Sequence, residues 1–464
     1  MKRFTLMFTL SLIALLLIGC GGGSSGSNSL TTSQSQAPVF VTGEDAPVSS
    51  VVAFNITIDK ITLNNNSATV TALSTPTAVD FGRLVGLRSL LGFNMIAPGT
   101  YTSATITFEG SNPAPVVDYV DLTTTPPSLG KATGTLSSTT VTVSFPSGQP
   151  LVVTSNGLAG LHMDFDLRKS LAIDGSGNLI ITNGQIAVTP VMDIMAVSAS
   201  DDLGQITDFL GNVVSVNSSA NTFVMQGPYG FQETIDVNSS TQYNSGNSLS
   251  TLVANGIVSV EGTVQADGSI LASSVELITT DQAFISGRIL AITPGPIVTM
   301  FVGEELGTSA TIPVDSIYTV DLTQVSQYSI CFIDNWFTNE LFSSTSLVVG
   351  QRIFVGGTYQ SNAFTPDMVS LRRQGVVGSL VANSVNITNG NQGNFQMQND
   401  ALMSYSAGGP FSVYTVDKTV FVNINGLSGL QAAGATNLLS RGLVLYDPIT
   451  QKPIVWAHRV RVLP

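Results

Sequence analysis

From Asp208 to its C-terminus the chain writes one pattern three times, and this repetition constrains the fold more than any other feature. Three openings align: FLGNVVSV from Phe209, ISGRILAI from Ile285 and VVGSLVAN from Val376. Three middle strands follow, TIDVN from Thr234, TIPVD from Thr311 and YTVDK from Tyr414. Each copy closes on a hairpin with a glycine at its start: NGIVSVEGTVQADGSILASSVELI, VGQRIFVGGTYQSNAFTPDMVSL and RGLVLYDPITQKPIVWAHRVRV. Asp267-Gly268 reads as a two-residue hairpin turn. Before the hairpin stands a short apolar stretch suited to a helical turn, with Leu249 and Leu252 in the first copy and Leu427, Leu430 and Leu438 in the third. Three strands, a short helix and two strands is the order of a small Greek-key barrel of the OB type. Each copy holds its own strand set, so the expectation is three tandem OB-like barrels, 201–280, 281–373 and 374–464, strung as beads without a shared core.

Ahead of the repeats, 39–200 alternate with the period of strands that bury one face. Val52, Phe54, Ile56 and Ile58 form one such face; Ala104, Ile106 and Phe108, after the Pro98-Gly99 turn, form another; Leu161, Met163, Phe165 and Leu167 form a third. Ile61 and Leu63 continue the first on the opposite parity, which predicts a bulge near Lys60. The one helix-like stretch runs from Phe81 through Leu84 and Val85 to Leu90 and Leu91, with Asp80 as N-cap, and Gly82 and Gly86 limit it to a turn or two. Many short strands between turns argue for a β-sandwich-like domain. The whole chain is expected to be all-β.

The segments EDAPVSSVVAFNITIDKITL, VDFGRL, APGTYTSATITF, LHMDFDLRKSLAI and VTPVMDI resemble a bacterial lipoprotein domain family, domain of unknown function 4382. That resemblance implies an extracytoplasmic β-sandwich-like domain and brings no assigned activity. The three copies resemble a second family, domain of unknown function 5666, often repeated in secreted bacterial proteins; the first copy is the nearest to it.

The first residues, MKRFTLMFTLSLIALLLIGC, place Lys2 and Arg3 before an apolar run that is shorter than the roughly 20 residues a membrane span needs. The ending resembles the lipobox of bacterial lipoproteins, which implies cleavage after 1–19 and lipid on Cys20. Residues 20–38, rich in Gly and Ser, have too little apolar surface to fold and read as a flexible tether. Gly21 stands where an inner-membrane retention signal would carry Asp, so the resemblance implies the outer membrane.

Lys and Arg number 17 against 30 Asp and Glu, a net charge of −13, and the basic residues are scattered along the sequence. Binding to nucleic acid needs clustered cations that displace counterions from phosphates, so nucleic acid is excluded as a partner. With Cys20 committed to the anchor, Cys331 stands alone in YSICFIDNW and reads as a small buried hydrophobe.

Three places could carry chemistry. His162, Asp164 and Asp166 alternate on one strand face, which suits a metal site or an acid–base pair, or a solvated face neutralised by Arg168 and Lys169. His458, the other histidine, belongs to the last closing strand, so a two-histidine site would need distant domains to meet. Asp174 to Asn178 resembles the start of a calcium loop but has Gln185 where the bidentate Glu belongs; a hairpin turn explains the same residues. The second copy carries an aromatic insert, SQYSICFIDNWFTNELF, with Tyr328, Phe332, Trp336, Phe337 and Phe342. These rings suit a partner surface or the plug of a barrel end. No phosphate-cradling Gly-Lys loop and no His-Glu-x-x-His motif occurs, and no cofactor is expected. The reading is an envelope lipoprotein, lipid-anchored at the membrane, that acts without catalysis as a binding or structural module. Its partner would be another envelope protein or a surface polysaccharide. The alternative is a metal-dependent binder or enzyme using His162, Asp164 and Asp166.

Overall fold

The computed structural model describes residues 36–463 except 47, 49, 66, 86, 111–112, 122–123, 125–127, 175–177, 228–231, 245, 280–282, 309–310, 332–340, 400–409 and 435–436. The fold is all-β: strand follows strand, and the two described α-helices are short, Leu167–Ser170 and Gly426–Ala433. No described helix is long and apolar enough to cross a membrane.

The alternating N-terminal segments form two facing sheets. One has four strands in the order Met192–Val197, Ala159–Asp166, Ala37–Ala46, Ser89–Ile96. The other is built around the long strand Val51–Asn64, which pairs with Ser103–Phe108, Val116–Asp121, Thr69–Leu73 and Thr77–Asp80. Between them lie Val39, Val41, Leu161, Met163 and Phe165 from the first sheet and Phe54, Ile56, Ile58 and Ile106 from the second. The Phe165 ring centroid is 5.2 Å from Phe54, 4.9 Å from Phe81 and 6.0 Å from Phe108, so four rings anchor the sandwich. The bulge falls where the parity change put it, between Ile58 and Lys60. The helix-like stretch shrinks to one 3-10 turn, Phe81–Arg83; Leu90 and Leu91 belong to a strand. Asp80 does not cap that turn with its side chain, because its Oδ1 instead accepts the Phe54 amide at 2.8 Å.

The repeats curl by a shared device. In the opening strands, Gly211, Gly287 and Gly378 each lie so close to a neighbouring strand that a Cβ would strike a carbonyl oxygen, that of Gln226, Phe301 or Gln398. Gly262, Gly357 and Gly442 do the same in the closing hairpins, against Leu271, Thr365 and Trp456, and each sits at a register shift. Glycine at a bulge lets a strand bend sharply while two backbones touch. In the first repeat the bend brings Gln232–Asp236 onto Ile270–Thr279 over the pairs Ile235↔Ile270 and Asp236↔Leu271; in the third it brings Gln374–Leu380 onto Gln392–Asn399. The second repeat has no such extra pairing among its described residues. The repeats are thus curled sheets, partly open rather than zipped shut.

Three details of the expected pattern change. The middle strand of the second repeat is Ser316–Asp321 and not Thr311–Asp315, because Pro313 has no N–H to give a ladder and Asp315 turns the chain at φ 56°. The third hairpin starts at Asn437, which puts Leu438 in a strand while Leu427 and Leu430 remain on the helix. The first hairpin closes through Gln265 N–H to Ser269 O at 2.8 Å, so its loop has three residues, with Gly268 in the left-handed region at φ 93°.

The bead picture also changes. Ser35–Pro464 cluster as one unit, and apolar side chains cross every boundary. Phe40, Leu90 and Phe93 of the sandwich pack into the first repeat; Leu210 and Ile257 of the first meet Phe284 and Phe354 of the second; Leu443, Leu445 and Ile454 of the third complete the core of the second.

Candidate functional site

The strand Ala159–Asp166 is buried along its whole length. Its odd positions enter the sandwich core, so period two turns His162, Asp164 and Asp166 to the opposite face. That face is not solvated. The last strand of the third repeat, Lys452–Val462, presents Arg459 and Arg461 to it. Arg461 Nη2 donates to Asp164 Oδ2 at 2.6 Å. Arg459 Nη1 lies 3.2 Å from both oxygens of Glu44, which is paired in register with Asp164 on the adjacent strand. Asp202 lies between Arg459 Nε at 3.3 Å and Arg88 Nη1 at 3.2 Å.

The three candidate residues do not make a metal centre. Thr42 gives its hydroxyl proton to the Leu203 carbonyl at 3.2 Å, and its oxygen accepts from His162 Nδ1 at 3.1 Å. His162 Nε2 is 3.8 Å from Glu44, but burial pushes the imidazole down to about 3 against the pull of that carboxylate, so the ring is neutral and the contact is no ion pair. Asp166 caps the helix Leu167–Ser170, accepting the Lys169 amide at 3.1 Å and pairing with its ammonium at 2.9 Å. Among the described residues no group of three or more His, Cys, Asp or Glu stands where a metal could be held. His458 does arrive at this seam with its strand; burial, with Arg373 and Arg441 next, lowers it to about 2.

A second charged knot joins the first and second repeats. Asp208 lies 2.5 Å from Arg372 and 2.5 Å from Arg352, and Ser259 donates to it at 2.7 Å. Arg372 also reaches Glu276 at 2.5 Å and stacks over Phe354 at 4.1 Å. Arg373 pairs with Glu261, and Arg83 of the sandwich pairs with Glu304 of the second repeat. Burial alone would raise Asp208, but Arg372 and Arg352 outweigh it and hold the carboxyl well below its usual value. Likewise burial opposes Glu44, and Arg459 and Arg461 bring it down to about 2.

Arg88, Arg372, Arg373, Arg441, Arg459 and Arg461 are all buried, whereas every described lysine, at 60, 131, 169, 418 and 452, is exposed. Guanidinium is weakly hydrated and offers a planar fork of five donors that can satisfy several carboxylates at once, so it tolerates the interior where ammonium does not. Several of the arginines that looked scattered along the chain therefore gather at the two seams between units. The signal was present as Arg459 and Arg461 on alternate positions of an apolar strand, and as Arg372-Arg373 between two apolar runs. Chemically the cluster ties units together; its acids and bases face one another across the seams.

The remaining candidates are placed as follows. Cys20, Phe332, Trp336 and Phe337 lie outside the described residues. Phe342 is buried in the core of the second repeat, 5.8 Å from the Tyr328 ring, which removes it from any partner surface. Cys331 is buried as expected, with Sγ 3.8 Å from Glu276. Asp174 Oδ1 accepts the Asn178 amide at 2.8 Å, and Ile173 bridges Leu179, which is the hairpin reading.

Comparison with curated proteins finds no match. Two family comparisons do match, each a domain of unknown function: DUF4382 over residues 36–183, most of the sandwich, and DUF5666 over 211–276, within the first repeat. The chain is thus similar to DUF4382 over its N-terminal part and to DUF5666 in its first repeat, in that order.

Proposed function

We propose that this protein is a lipid-anchored envelope lipoprotein that works without catalysis, as a rigid binding or structural module for another envelope protein or a surface polysaccharide. The observation that carries this reading is the direction of its charge. The histidine and carboxylates that could have served catalysis are turned inward and occupied by Arg459, Arg461, Thr42 and Lys169. A polar network spent on joining units makes a stiff platform and leaves recognition to the outer faces and loops. The residue pattern ending at Cys20 supports the anchor, and its Gly21 supports the outer membrane.

The test starts from the anchor. Cys20→Ala should move the protein from the membrane fraction to the soluble fraction, or leave its signal uncut, while the melting temperature of the folded part stays unchanged. Crosslinking in intact cells should then give one recurrent envelope component with the anchored form. A protein that stays membrane-bound with a mature, unlipidated N-terminus would defeat the proposal. So would stoichiometric metal in the purified chain that is lost on His162→Ala, because that result belongs to the metal-dependent alternative.

A further inference from the structure

One half-buried carboxylate, that of Glu233, has no cation beside it among the described residues. Glu233 lies on the strand Gln232–Asp236, two residues before Ile235, which is fully buried. Period two puts both on one face, so a glutamate occupies a position that the pattern reserves for an apolar residue. It is half-buried, and no hydrogen bond or ion pair reaches it from the described residues. Burial alone pushes its carboxyl up to about 7. It borders a crevice of about 280 Å³ between the sandwich and the first repeat, whose other wall is formed by Leu73, Leu90, Leu91 and Phe93 together with Ser74, Thr75 and Thr77. Ligand sites favour such seams between units, with apolar walls and a few polar groups that orient the guest.

We propose that this crevice is a binding site for a small organic cation, an amine carrying an aryl or alkyl group, whose ammonium pairs with Glu233 and whose apolar part lies against Leu90 and Phe93. Charge complementarity selects this class: an unpaired carboxylate beside apolar side chains gains most from a cation that brings its own apolar surface. A volume near the lower end of the usual range for ligand pockets, roughly 300 Å³, limits the guest to about a single ring with a short arm. The site does not depend on the anchor or on an envelope partner, so it can fail while the preceding proposal stands.

The probe is 2-phenylethylamine, titrated into the full chain by calorimetry at pH 8, with 2-phenylethanol as the neutral match and phenylacetate as the anion. The amine should bind at least roughly tenfold more tightly than the alcohol, and phenylacetate should not bind, as expected for a charge-assisted contact. Pairing keeps Glu233 ionised, so amine binding near pH 7 should release protons, and affinity should fall as pH drops below about 7. Glu233→Gln keeps the shape and should remove the preference for the amine. Thr75→Trp, at an exposed position lining the crevice, should block all binding while the carboxylate remains. Equal affinity for amine and alcohol overturns the proposal, as does unchanged amine binding in either variant or no binding at millimolar probe. Self-association abolished by Thr75→Trp would also overturn it, by giving the crevice to a second copy of the chain.

Discussion

One carboxylate in each charged seam, Asp208 and Asp164, faces the same residue types and reaches the opposite electrostatic outcome. Between the first and second repeats, Asp208 faces two guanidiniums and accepts a serine hydroxyl, and its carboxyl is held well below 3.8. Between the sandwich and the third repeat, Asp164 has Arg461 alone, its Oδ1 meets no hydrogen-bond donor, and burial wins, raising it to about 6. A buried carboxylate loses several kcal/mol of hydration, and one cation returns less than two cations and a hydroxyl. Cations per carboxylate, more than burial, separate a locked carboxylate from a strained one.

The largest expected effect breaks the pairing of the locked carboxylate. Arg372→Met leaves Asp208 with Arg352 as its one cation and takes from Glu276 a 2.5 Å partner. The loss should be about 3–5 kcal/mol, the usual result of removing one partner of a buried pair, read as a lower denaturation midpoint. A loss under about 1 kcal/mol would mean that solvent reaches this knot and the two seams are alike.

A smaller effect sharpens the contrast from the other side. Because the folded Asp164 carboxyl is raised from 3.8 to about 6, its contribution is complete below pH 3.8 and is lost as pH rises through about 6, a change of about 3 kcal/mol. Asp164→Asn holds the group neutral. The variant should therefore gain on the native chain between pH 4 and pH 7, by up to about 3 kcal/mol. Glu44 runs the opposite way, since its contribution is present above pH 4.5 and lost as pH falls toward about 2. Parallel stability curves for the two chains would show that Asp164 is not strained.

The smallest effect lies at the rim of the same seam. The Lys169 side chain is 47% exposed and pairs with Asp166 at 2.9 Å. Lys169→Ala should cost under about 1 kcal/mol, less still in high salt, because solvent screens such pairs. A cost comparable with that of Arg372→Met would erase the distinction between rim and interior.

Much of the architecture was legible before any coordinate. Alternation at Phe54, Ile56 and Ile58 reports a half-buried strand because successive side chains must point to opposite faces. The parity change after Lys60 reports a bulge for the same reason. The repeated openings located three similar curled sheets. The seam was not legible: Glu44, His162, Asp164, Asp202, Arg459 and Arg461 come from both ends of the chain and meet only when the third repeat docks on the sandwich. A charged residue at an alternate position of a strand reads equally well as a solvated face or an interface, since local sequence carries no information about what will cover it.

Local periodicity thus determined the strands, their buried faces and the three-fold repetition, because backbone geometry ties side-chain direction to sequence position within a few residues. Tertiary structure alone decided that the repeats pack against one another, that six arginines are buried, and that the His162 face is a joint. Those outcomes rest on contacts between residues as far apart as Glu44 and Arg459. Their strength depends on how far water is excluded once the surfaces meet.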